Sequence, residues 1–135
     1  MVIAFGTDER TALTEVITAE LEGRGHRVVV VADPAPWPEA GRAVAEAVAG
    51  ATADRGVVCC WTGTGVSMAA NKVGGVRAAL CTDAETARGA RRWNDANVLA
   101  LGLRLTSVEV VKEILDAFLG TDVDDGERAT IDRLG

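Results

Sequence analysis

Cys60, Trp61, Thr62, Gly63, Thr64, Gly65 and Val66 follow one another without a break. The apolar, β-branched stretch Val57 to Cys60 ends in a thiol. Two glycines come next, and then a small-residue segment up to Lys72 that suits a helix. The N–H groups of a glycine turn, together with the start of the helix it opens, present partial positive charge to an anion. The same field lowers the pKa of a nearby thiol, so Cys60 is placed to act as a nucleophile or carbon base beside bound negative charge. The competing reading, a cysteine that only packs, holds for about half of such strand-end positions. Asp8 follows the chain's first apolar run and reads either as a helix cap or as a contact to a ligand hydroxyl.

Three kinds of glycine loop compete for this stretch. A nucleotide-binding P-loop is excluded, because Lys72 lacks the preceding glycine and Val73 is not Ser or Thr. A dinucleotide fingerprint is weak, since Gly63 and Gly65 supply two glycines but Met68 occupies the third position. A cradle for a small phosphate or an enediolate survives. Cys59 should point to the opposite sheet face as inert core, and Cys81 reads as packing. His26, the only histidine, opens a strand at the other end of the sheet and is given a structural role.

The elements that must carry these residues alternate along the chain. Strands are expected at Val2–Gly6, His26–Val31, Gly56–Cys60, Val76–Leu80 and Asn97–Leu101. Helices are expected at about Arg10–Glu22, Glu39–Ala51, Val66–Val73, Asp83–Trp93, Ser107–Leu119 and Glu127–Leu134. Asp33 to Pro38 is a proline-punctuated loop, and Thr82 or Asp83 should cap the fourth helix. The alternation predicts one α/β domain spanning residues 1–135: a three-layer α-β-α sandwich on a five-stranded, mostly parallel, doubly wound sheet. The expected strand order is 2-1-3-4-5, with its switch point between the first and third strands. Asp8 and Cys60 would then face each other across one crevice.

Composition narrows the function classes. A net charge of −6, with no Lys/Arg cluster, argues against a nucleic-acid face. No apolar run is long enough for a membrane span, and a strand pattern begins at once at the N-terminus. Three cysteines, two adjacent, form neither a disulfide framework nor a zinc spacing. A cytoplasmic, reduced, single-domain chain binding neither metal nor nucleic acid is expected.

The run Cys60 to Lys72 (T-G-x-G followed by S-x-A-A-N-K), with Val76 to Cys81 and Asn94-Asp95-Ala96-Asn97-Val98-Leu99, resembles the ribose-5-phosphate isomerase B and galactose-6-phosphate isomerase family. The resemblance covers nearly the whole chain. It implies an aldose–ketose isomerase of sugars or sugar phosphates that needs no cofactor. Cys60 would remove the proton α to the carbonyl, Thr62 would assist ring opening, and the amides of Gly63, Thr64, Gly65 and Val66 would hold the enediolate oxygen. It also implies a homodimer, or a tetramer, with sites shared between subunits, where Asn94 and C-terminal residues reach the partner's site. Several positions depart from the family pattern. Trp93 stands where the family has a ring-opening histidine, Glu9 replaces a histidine after Asp8, and Trp61 replaces a glycine. Glu127 and Ile131 replace the two arginines of a phosphate clamp. Arg104 matches a family arginine, and Arg128 stands near the lost clamp. These departures point to a substrate other than ribose 5-phosphate, with Trp61 and Trp93 stacking on a sugar face and Glu9 or Glu127 bonding hydroxyls. A catalytically impaired sugar-binding or partner subunit is the alternative they leave open.

Overall fold

The computed structural model describes all 135 residues. Five strands, β1 (Val2–Thr7), β2 (Arg27–Ala32), β3 (Arg55–Cys60), β4 (Ala78–Leu80) and β5 (Val98–Gly102), alternate with helices α1 (Ala12–Gly23), α2 (Trp37–Ala49), α3 (Thr64–Asn71), α4 (Ala84–Asn94) and α5 (Val108–Gly120). A 3-10 turn (Asp125–Glu127) and a short α6 (Arg128–Asp132) end the chain. Every strand pair is parallel, as expected for βα crossovers.

The sheet order is β2-β1-β3-β5-β4, which corrects the expected order in its last two strands. Burial explains the exchange. All five residues of β5 are buried, as a strand covered on both faces requires, whereas the three residues of β4 are only half-buried. The shorter and less apolar strand takes the edge. Cys60 pairs in register with Gly102, so the chain just after β5 lies beside the chain just after β3. The switch point between β1 and β3 is unchanged by the exchange.

Alternating side chains divide the core into two layers. Ile3, Phe5, Val57, Cys59, Leu99 and Leu101 pack against α1, α4 and α5 on one face. Ala4, Val58, Cys60, Val98 and Ala100 pack against α2 and α3 on the other. Cys59 and Cys60 therefore point in opposite directions, and Cys81 is core on the Cys59 side. Burial pushes the Cys81 thiol up to about 12 and that of Cys59 higher still, so both are inert at neutral pH.

Local signals close the helices. Thr11 caps α1 in a reciprocal box with Thr14, Asp83 caps α4 by accepting from the Thr86 amide at 2.7 Å, and Ser107 caps α5. Several starts shift by two residues from expectation: α2 begins early at Trp37 within the proline loop, α3 begins early at Thr64, and α1 and β4 begin late. Pro38 in the first turn of α2 explains the first, because a missing N–H costs nothing there.

Candidate active site

The carboxyl ends of β1, β3 and β5 lie side by side, and most of the sequence candidates sit there. The ladder continues past the strands. The Asp8 N–H donates to the Cys59 carbonyl at 3.1 Å, the Leu103 N–H to Cys60 at 2.9 Å and the Arg104 N–H to Trp61 at 2.9 Å. These bonds hold the segments bearing Asp8, Trp61 and Arg104 in fixed register around Cys60. Arg104 reaches this place only because β5, not β4, neighbours β3.

Cys60 is 5% exposed, and its Sγ accepts the Gly63 N–H at 3.2 Å. Gly63 itself has φ of 79°, a left-handed conformation that turns the chain from β3 into α3. A Cβ there would meet Leu80 Cδ1 at 2.5 Å and the Gly102 nitrogen at 2.9 Å, so only glycine fits. The amides of Thr64, Gly65 and Val66 open α3 and have no intrahelical acceptors, which leaves them for an anion. The Thr62 and Thr64 hydroxyls bond each other at 2.8 Å across the mouth of this turn.

Asp8 is not a helix cap, since Thr11 fills that role. It is half-buried, and its Oδ1 is fully buried with no hydrogen-bond partner. Desolvation, reinforced by the negative charge of Glu9, raises its pKa above the usual aspartate value, although a hydrogen bond to its own backbone opposes this. Glu9 is exposed, its backbone folded onto the Thr7 hydroxyl, which donates to the Glu9 carbonyl at 2.7 Å. Trp61 is 49% exposed beside Arg104.

Trp93, Asn94 and Arg128 do not join this group. α4 starts at the carboxyl end of the sheet and runs back along it for about 16 Å, so its last residues lie near the opposite end. Trp93 folds over Gly89, and it and Asn94 line a groove of about 480 Å³ with Thr130, Ile131 and Arg133. A second groove, of about 550 Å³, runs from Trp93 along Gly89 to Leu80. The C-terminal turn docks here through the Asp124 N–H on the Arg92 carbonyl at 2.8 Å. Arg128 is held by Asp125 at 2.9 Å. The sequence candidates thus fall into two groups that lie apart in one chain. His26 lies away from both, its Nδ1 3.0 Å from the N-terminal amine; partial burial and that positive charge lower its pKa.

One residue beside the glycine turn escaped the sequence reading. The Trp37 ring lies against Gly65, where a Cβ would come within 2.9 Å of it, and walls one side of the cradle. Its flanking prolines marked only a loop. Its place over Gly65 depends on how α2 packs on α3, which no local pattern encodes.

No three His, Cys, Asp or Glu side chains gather as a metal site would require. No helix is long and apolar enough to cross a membrane.

The chain matches the family model described as ribose/galactose isomerase over residues 3–134. It is 42% identical to ribose-5-phosphate isomerase B of Escherichia coli, over 92% of this chain and 87% of that protein. It is 41% identical to galactose-6-phosphate isomerase subunit LacB of Clostridium acetobutylicum (88% and 72%), and 36% identical to D-erythrulose-4-phosphate isomerase of Pectobacterium atrosepticum (98% and 92%). Among solved structures, ribose-5-phosphate isomerase B of Clostridium thermocellum superposes with a TM-score of 0.95 at 40% identity, covering 100% of this chain and 95% of that one. The type B enzyme of Trypanosoma brucei gives 0.91 at 36% identity, covering 98% and 95%.

Proposed function

The chain belongs to the ribose/galactose isomerase family, and from that premise we propose how it works as a sugar-phosphate isomerase. Cys60 is the carbon base: its thiolate removes the proton α to the carbonyl, and the pair of electrons released becomes the double bond of an enediolate. The amides at the start of α3 stabilise the oxygen on which charge develops. Donors already fixed in place are often the largest single catalytic contribution. Thr62, at the mouth of the turn, assists opening of the sugar ring. The observation that carries this reading is the Gly63 N–H on Cys60 Sγ at 3.2 Å, which ties the base directly to the anion cradle.

The test is incubation with phosphorylated and free aldoses and ketoses in D₂O, following deuterium into C1 or C2. The unmodified protein should incorporate it, and Cys60→Ala should lose roughly 10²–10⁴-fold. Full turnover by Cys60→Ala on the same sugar would overturn the assignment.

The substrate proposed is a sugar phosphate other than ribose 5-phosphate. The named relatives act on sugars of different length, so the family scaffold does not impose one substrate. In this chain Glu127 and Ile131 offer no cation to a phosphate, and Arg128 is engaged by Asp125. A carboxylate at such a place opposes a dianion. Ribose 5-phosphate should turn over weakly or not at all; a rate of ~10 per second would refute this.

A complete site is proposed to form in a homodimer, with Trp93, Asn94 and the C-terminal turn of one copy facing Cys60 of the other. The separation of the two groups along α4 supports this.

A further inference from the structure

We propose that the Asp8 carboxyl group carries the proton between the two oxygens of the reacting sugar, a catalytic role beyond contacting a hydroxyl. The inference rests on the isomerase reading above. Exchanging an aldose and a 2-ketose moves two protons, one from C2 to C1 and one from O2 to O1. Cys60 handles the first. The second needs another group that can both release and accept a proton.

The residues at the carboxyl ends of β1, β3 and β5 leave few choices. Arg104 does not give up its proton in water. The Thr62 and Thr64 hydroxyls are bonded to each other, and His26 sits against the N-terminal amine. Glu9 is exposed. Asp8 lies one residue past the Thr7–Cys59 register pair, level with Cys60 on the neighbouring strand, about 5 Å away by backbone. Its Oδ1 is shut off from solvent with no partner. A buried acceptor left alone is costly, so its lack of a partner points to one that arrives with the substrate. Helix capping, which would have explained a carboxylate here, is performed by Thr11. Burial and the Glu9 charge also move Asp8 toward the range in which a carboxyl both gives and takes protons.

In the aldose-to-ketose direction the Cys60 thiolate takes the proton from C2. The C–H pair forms the C1–C2 double bond while the carbonyl pair moves onto O1, which takes a proton from the Asp8 carboxylic acid. The Asp8 carboxylate then removes the proton from O2 as C2=O forms, and the double-bond pair takes the proton from Cys60 at C1. Asp8 ends protonated and Cys60 ends as thiolate, with no net oxidation or reduction.

The two proton moves separate experimentally. Four-, five- and six-carbon 2-ketose phosphates are incubated in D₂O, measuring both deuterium at C1 of recovered ketose and conversion to aldose. In Asp8→Asn, deuterium entry should persist within about tenfold while conversion falls roughly 10²–10⁴-fold, because the enediolate still forms but returns to ketose. Asp8→Glu, which restores the carboxyl, should recover part of the conversion. Unchanged conversion in Asp8→Asn overturns the proposal. So does a matched loss of exchange and conversion in Asp8→Asn with no recovery in Asp8→Glu, which would mean a binding or folding role. Absence of exchange in the unmodified protein on every ketose would instead overturn the isomerase reading and this inference with it.

Discussion

At the scale of single residues, the site is kept in shape by positions that tolerate no side chain and by one that is uncomfortable where it stands. Gly63 combines a left-handed φ with backbone contacts at 2.9 Å that cannot give way. Gly63→Ala should therefore cost about 2 kcal/mol or more in urea unfolding and abolish isomerisation, because the turn that aims its N–H at Cys60 must open. Asp8 is the uncomfortable one. A carboxyl whose folded pKa is raised contributes stability below its unfolded value of 3.8 and loses that contribution as pH rises through its folded value. The wild type should thus fall progressively below Asp8→Asn in Tm as pH rises from acid to neutral, and the two should converge below the ordinary aspartate range. A gap that widens toward acid would contradict this. In the proposed role, Asp8 trades stability for chemistry.

At the scale of elements, strand order decides which loops meet. Placing β5 beside β3 brings Arg104 against Trp61, and leaves short β4 at the edge beside the groove that ends at Trp93. The far end of α4 is fastened by Arg91, 5% exposed, which donates to the carbonyls of Ala96 at 2.7 Å and Thr121 at 3.1 Å and to Asp95 Oδ1 at 2.8 Å. Arg77 bonds the other Asp95 oxygen at 3.1 Å. Much of the Asn94-Asp95-Ala96-Asn97 motif is therefore a clasp: Asp95 joins two arginines, and Asn97 accepts the Arg77 N–H at 2.7 Å. Arg91→Leu should destabilise the fold by about 3 kcal/mol, since it strands two carbonyls and removes one of the two arginines that pair with Asp95. Chemical denaturation checks this; a change below ~1 kcal/mol would show that the clasp is dispensable.

At the scale of the whole molecule, one chain presents Cys60 and the glycine turn, the proposed proton-abstracting group, at the carboxyl end of its sheet, and Trp93 and Asn94 near the other. If two copies complete each other, mixed mutants should complement. Cys60→Ala and Asn94→Ala homodimers should each be nearly inactive. After mixing and re-association, half of the dimers are heterodimers with one intact site of two, so activity should return to about a quarter of wild type. No recovery despite verified subunit exchange would mean that each chain's site is self-contained.

The sequence alone was enough for the alternation of strands and helices, the switch point, the opposite facing of Cys59 and Cys60, and the glycine turn after β3. These rest on local rules: period-two burial, apolar runs, caps, and the conformations open only to glycine. The family resemblance was equally legible, because its motifs are contiguous. Tertiary structure decided the rest. The order of β4 and β5 depends on which strand can be covered on both faces, a competition between segments that neither encodes by itself. The Trp37 ring on Gly65 depends on two helices meeting. The orphaned Oδ1 of Asp8, which turned a presumed cap or hydroxyl contact into the candidate proton carrier, exists only because Thr11 took the cap and the neighbouring strands closed off solvent.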